Sequence, residues 1–342
     1  MLAAALLAAV AAGGASAATV VYDSFGKGAY TLGDYAQKWS NPYGLGDMAV
    51  APGDTRSFAD GTFYIDDAPF RTSYDYSVYD HLKYIAISNQ SFPVPALGSV
   101  AFSATITADT PGAVAGRVIH GTYGPPGSYP NGAPWQQSTL EGQQAGAVLN
   151  MINFPTGQLF DWFVSRNHAF PLIERLPSAV TGNTSDTSSP EYVGPAKMYT
   201  QIIKDIRIKA GVKHTVSIRY TRDLEGAHVD YSLDGTRVAR VKNIGVPLDR
   251  QGVSYTGYAP SLGPGELLVN KINDFVIGHG TFSLLDAFPY QWGWFDICTE
   301  SGLDSSTQQA CGLSVSIPTS ERLFGQGVRA RFDNFTVTTT TD

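Results

Sequence analysis

"HVDYSLDGTRVARV", residues 228–241, reads as two short strands around one tight turn. His228, Asp230 and Ser232 alternate with Val229, Tyr231 and Leu233, a period of two that gives a strand one polar and one apolar flank. Asp234-Gly235 supplies the two positions that tolerate positive φ, as a two-residue hairpin turn requires if it is to match the right-handed twist of its strands. Alternation resumes after the turn, so the chain reverses and pairs with itself.

Runs of the same period recur along the chain: "TVVYDSF", "SVAFSATITA", "AGRVIHGTY", "QAGAVLNMINF", "LFDWFVS", "HTVSIRYT", "TRVARVKN" and "ARFDNFTVT". No window outside the N-terminus holds helical periodicity for more than about two turns, and no repeat of 20–50 residues is present, which argues against propellers and solenoids. The composition agrees. Charged residues are 15% of the chain against a typical value of about 25%, while glycine and tyrosine are plentiful, the balance of strands joined by turns. Gly/Pro-rich stretches at 123–134, 177–195 and 257–265 read as surface loops, because they cannot enter a central sheet. The prediction is an all-β chain of 342 residues in which 18–342 form a single sandwich domain with long loops.

A net charge of −7 provides no basic stripe to neutralise phosphates, so nucleic acid is excluded as a partner. Residues 1–17, "MLAAALLAAVAAGGASA", form a short apolar run ending in the small-x-small pattern of a signal peptidase site, which predicts a secreted protein with no membrane attachment after leader removal. In an oxidising compartment the two cysteines, Cys298 and Cys311, are expected to close one local disulfide. Asn89, Asn183 and Asn334 open glycosylation acceptor sequences, the third inside a predicted strand.

Candidate chemistry concentrates in "LFDWFVSRNHAFPLIER", residues 159–175. With strands over 159–165 and 169–175 and a turn at Arg166-Asn167, Ser165 lies opposite His168. One face then carries Phe160, Trp162, Val164, Ala169, Pro171 and Ile173, all apolar and so turned to the core. The other carries Asp161 and Phe163 with His168, Phe170, Leu172 and Glu174. Asp161 opposes Leu172, and Glu174 is its diagonal neighbour at a backbone distance of roughly 7–8 Å. Two carboxyl groups about 5–9.5 Å apart serve sugar-cleaving enzymes as acid and base. The alternative is a structural charge network with the nearby arginines.

In "QAGAVLNMI", Gln144 and Asn150 fall on one face and are expected to line the same groove as ligand-binding amides. His120 is a candidate third catalytic group, and His279, in "VIGHGTF", a ligand-binding one; glycine beside each permits close backbone approach. Tyr74 and Tyr76, from a tyrosine-rich cluster at 66–84, and Trp292 and Trp294 are the kind of flat, polar-tipped rings that stack on sugars. The histidines have no zinc-ligand spacing and no metal site is expected, although a structural calcium could use Asp66-Asp67. No cofactor is implied. Serine-nucleophile elbows and phosphate-cradling loops are missing from the sequence.

The strand pair "VDYSLDGTRVARVKNIG" and the closing strand "ARFDNFTVTT" resemble pieces of concanavalin A-like lectin/glucanase sandwiches. The block "GQQAGAVLNMINFPTGQLFDWFVSRNHAFPLIERLP" resembles an uncharacterised family of secreted microbial proteins in that superfamily. Such membership implies a jelly roll of two antiparallel sheets with a concave, glycan-facing surface. The retaining-glucanase signature E-x-D-x-x-E is absent, so that catalytic apparatus does not transfer. The leading expectation is a glycoside hydrolase or lyase working through Asp161 and Glu174. The alternatives are a non-catalytic lectin-like module and a cyclase or isomerase of a small apolar metabolite.

Overall fold

The computed structural model describes residues 16–26, 28–40, 55–71, 81–123, 134–175, 199–242, 272–285 and 315–342. In the first half of the chain the strands are β1 (Ser16–Asp23), β2 (Trp39–Ser40), β3 (Thr55–Ala59), β4 (Thr62–Asp67), β5 (Leu82–Ser88), β6 (Phe92–Pro93), β7 (Gly98–Asp109), β8 (Val118–Tyr123) and β9 (Pro134–Ser138). Then come β10 (Gly146–Asn153), β11 (Gln158–Val164), β12 (His168–Arg175), β13 (Tyr199–Ile202), β14 (Ile206–Arg207), β15 (His214–Asp223), β16 (Gly226–Leu233) and β17 (Thr236–Lys242). β18 (Asp274–Phe282), β19 (Val315–Ser316) and β20 (Val328–Thr341) close the set, with short helices α1 (Leu32–Lys38), α2 (Glu141–Gln144) and α3 (Thr319–Arg322) between strands. No described helix is long and apolar enough to cross a membrane.

The sandwich of two antiparallel sheets expected from the sequence is the observed architecture. The first sheet runs β17-β16-β15-β7-β20-β4-β3, with β1 beside β20; the second runs β13-β12-β11-β10-β18-β5-β2. A small sheet, β19-β8-β9, stands apart from both. The Asp234-Gly235 hairpin forms as predicted, with φ of 50° and 78° at the two turn residues. Asp234 is held further by His214 Nδ1 at 2.8 Å and by the Thr215 amide at 2.8 Å.

Two cross-sheet bonds fix how the layers meet. Trp162 on β11 donates its indole N–H to the Ser217 carbonyl on β15 at 3.0 Å, and Tyr231 on β16 donates its hydroxyl to the Leu172 carbonyl on β12 at 2.8 Å. The two rings meet edge to face at 6.2 Å, so each polar tip is satisfied inside an apolar layer. The N-terminal segment ties the same layers together at one end, contributing β1 to the first sheet and β2 to the second. At the crossover the buried Asp23 carboxylate accepts from Tyr30 Oη, Trp39 Nε1, Lys38 Nζ and the Phe25 amide, all within 3.1 Å. Four donors satisfy a charge that burial alone would make costly. A capping box between Thr31 and Asp34 starts α1 inside this crossover.

β20 has β7 along one side and first β4, then β1, along the other. The hand-over falls at a bulge where Asn334 takes φ of 55°. The bulge breaks the alternation so that Phe332 and Phe335, three residues apart, both point inward. Asn334 itself, the predicted glycosylation acceptor within a strand, is exposed there.

Gly280 of β18 shows why this strand tolerates so little. A Cβ added there would lie 2.0 Å from the Tyr84 carbonyl oxygen of the neighbouring strand. We expect Gly280→Ala to cost about 3 kcal/mol in urea unfolding, a steric conflict inside a sheet. Gly235→Ala, strained only by its positive φ and with no atom nearby, should cost about 1 kcal/mol.

Candidate functional site

The outward face of the second sheet, the one turned away from the first, is built from three rows of paired residues, and nearly all of its described side chains are buried. Its middle row crosses six strands as Ile87, Gly278, Asn150, Asp161, Leu172 and Ile202. On one side lie Ile85, Gly280, Val148, Phe163 and Phe170; on the other, Val276, Ile152, Leu159, Glu174 and Thr200. The register predicted for 159–175 is the one found: Asp161 pairs with Leu172, Glu174 stands one row over on the diagonal, and the Ser165 amide bonds to the His168 carbonyl across the turn. Asp161 and Glu174 are the carboxylates within these rows, 2% and 5% exposed.

Burial pushes the Asp161 carboxyl up to about 7, against the smaller, opposing effect of one hydrogen bond from Asn150 Nδ2 at 2.8 Å. The other amide atom, Asn150 Oδ1, is buried without a hydrogen-bond partner. Gly278 lies directly opposite Asn150, and its missing side chain leaves that oxygen clear: an added Cβ would come within 3.2 Å. The arrangement therefore presents a carboxyl that exchanges its proton near neutrality next to an unused acceptor. Sequence reasoning missed Gly278. The alternation in "VIGHGTF" could have found it, since the two glycines bracketing His279 must share the face opposite to that histidine.

Other expected site residues separate from this face. His279 pairs with Leu149 and points between the sheets, where Trp39, Phe63, Phe332 and Phe335 surround it with ring centres 4.6–5.3 Å away. Its Nε2 meets Tyr35 Oη at 2.7 Å, and burial pushes its pKa down to about 3, so it is a neutral core residue, not a groove ligand. His120 lies on β8 in the small sheet, 59% exposed and 3.6 Å from Glu321, rather than on the sheet that carries Asp161. Gln144 belongs to α2, not to a strand; its amide clamps the Val114 backbone in both directions and also reaches Thr139. A strand register cannot extend through residues already wound into a helical turn.

Phe163 is on the expected face, but Phe170 stacks on it at 5.0 Å and 9°, and the ring packs beside the Gly146 backbone. Its π surface is occupied by protein. The calcium expected at Asp66-Asp67 meets a geometric obstacle, because successive strand residues face opposite ways. Asp66 faces outward to Arg329 at 3.1 Å, and Asp67 faces inward to accept from Thr281. Among the described residues no group of three or more potential ligands is placed to hold a metal. Tyr74, Tyr76, Trp292, Trp294, Cys298 and Cys311 lie outside the described residues.

Residues 23–341 match the model of a family described as "Family of unknown function (DUF6081)". The chain belongs to that family. A search of curated proteins returns no match for this DUF6081 member. Among solved structures, it is similar to an endo-1,3-β-glucanase from Streptomyces sioyaensis at 12% identity and a TM-score of 0.39, covering 96% of this chain and 98% of that one. An exolytic alginate lyase from Zobellia galactanivorans gives 6% identity and 0.38, over 87% and 90%. A legume lectin-like domain from Entamoeba histolytica gives 6% and 0.32, over 91% and 94%. Overlaps this loose transfer no residue's role to the DUF6081 chain.

Two outcomes follow from the state of Asp161. Its carboxyl binds a proton more tightly folded than unfolded, so its own contribution to stability is complete below about pH 4 and is lost as pH rises through about 7. Asp161→Asn should remove that part of the slope when urea midpoints are compared across the range. Asn150→Leu, which deletes the one hydrogen bond that favours the charged form, should raise the Asp161 pKa further, read from the carboxyl carbon shift in an NMR titration.

Proposed function

We propose that the protein cleaves a glycan on the outward face of its second sheet, with Asp161 as proton donor and Glu174 as the partner carboxylate. The observation that carries this reading is the Asp161 carboxyl, buried beside Asn150 and lifted to about 7, with a second carboxylate one row away. Breaking a glycosidic bond needs an acid that still holds its proton near neutral pH, together with a second carboxylate that activates water or attacks the sugar. Desolvation supplies the first condition. Sheet register supplies the second, by holding the two side chains on rigid neighbouring strands rather than on loops.

In hydrolysis the Asp161 proton passes to the leaving oxygen as its bond to the anomeric carbon breaks. Glu174 takes a proton from the incoming water, whose oxygen completes the new reducing end. Asn150 Oδ1 accepts a hydroxyl of the sugar and orients it over Gly278. Secretion and the glycan class of substrate are part of this proposal, and they rest on the leader-like N-terminus and the sequence resemblance.

Assays of reducing-end release from a polysaccharide panel test the reading. Activity should fall as pH rises through about 7, where Asp161 loses its proton. Asp161→Asn and Glu174→Gln should each lower kcat/KM by about 100-fold or more while melting cooperatively. Digestion by the double variant at the wild-type rate overturns the assignment. Binding of panel members without turnover by the wild-type protein gives the lectin-like reading instead.

A further inference from the structure

The opposite, outward face of the first sheet holds a cleft of about 540 Å3, within the range of about 300–1,000 Å3 typical of small-ligand sites. Two rows of paired residues form its floor. Asp66, Arg329 and Asp109 make one, and Tyr64, Arg331 and Thr107 the next. Arg329 is braced on both sides, 3.1 Å from Asp66 and 4.0 Å from Asp109, and Arg166 reaches the second oxygen of Asp109 at 3.9 Å.

Arg331 differs. Its guanidinium lies 5.5 Å from the centre of the Tyr64 ring, and among the described residues it makes no ion pair. Asp333, next along the outward side of the strand, pairs with Lys213 at 3.6 Å. The cleft therefore holds three arginines against two aspartates, a local excess of positive charge in a chain of net charge −7. A guanidinium held over an aromatic ring, with no carboxylate paired to it, keeps its planar fork of donors available for a carboxylate taken by two parallel hydrogen bonds. Around it stand hydroxyls and carboxylates, including Thr107 and Asp109, which suit a ligand rich in hydroxyl groups. A broad polyanion such as nucleic acid would meet Asp66 and Asp109 within the same few ångströms.

We propose that this cleft binds a uronic-acid residue of an acidic polysaccharide, its carboxylate on Arg331 and its ring hydroxyls on Asp109 and Thr107. The ligand class rests on the glycan reading above, while the site lies on the other sheet. It would hold the polymer away from the cutting face, as a second attachment point.

Titration calorimetry with trimers of galacturonate, glucuronate and mannuronate, beside a neutral galactose trimer and inorganic phosphate, tests the proposal. At least one uronate trimer should bind the wild-type protein, more weakly as salt rises. Arg331→Gln should weaken that binding at least tenfold without moving the melting temperature or the cleavage of short glycans. Asp161→Asn should bind as wild type does, which separates this site from the proposed catalytic one. No binding of any uronate trimer, equal binding of the neutral trimer or of phosphate, or unchanged affinity in Arg331→Gln each overturns it. Loss of binding in Asp161→Asn with none in Arg331→Gln places the acidic sugar on the other face and overturns it as well.

Discussion

The Trp162 indole reaching the Ser217 carbonyl, answered by Tyr231 reaching back to Leu172, is the contact that orders the rest of the molecule. Both donors are buried, so either one displaced would be left without water or partner, and a lost buried hydrogen bond costs about 1–3 kcal/mol. That penalty pins β11 and β12 to one translation against the first sheet. Strand geometry does the rest. With Trp162 and Phe160 committed to the interior, Asp161 has only the outer side available, and Glu174 follows through the pairing of β12.

Polar groups inside the sandwich divide into two kinds. Asp23 is surrounded by four donors and serves as a crossover anchor. His279 instead sits among aromatic rings with one hydrogen bond and is kept neutral by the absence of water. Asp161 is closer to the second kind, yet it faces the other way, toward the outward rows with their glycine notch. Similar desolvation thus yields a packing residue in one place and an ionisable group poised near neutrality in another, with sheet parity deciding which.

Much of this was legible in the residues. The 228–241 hairpin, the 159–175 pair and the placement of Asn150 beside Asp161 all follow from a period of two and good turn chemistry. β5 and β18 carry a weaker signal. "LKYIAIS" is buried on both flanks, and "DFVIGHGTF" carries two glycines, so neither shows the polar-apolar rhythm of a half-exposed strand. Gln144 sits in a helical turn too short to leave a sequence signal. The Asn334 bulge is the reverse case, in which the sequence alternates correctly up to a residue that the fold inserts.

The position of β20 has a kinetic consequence. This strand, residues 328–341, fills the middle of its sheet, with β7 on one side and β4 and β1 on the other. A growing chain must hold β7 and β4 apart, with their inner edges unpaired, through more than two hundred residues of synthesis. Contacts of such separation close slowly. The inner edges of β7 and β4 therefore stay unpaired until this late strand arrives, and an unpaired strand edge is a template for pairing with another chain.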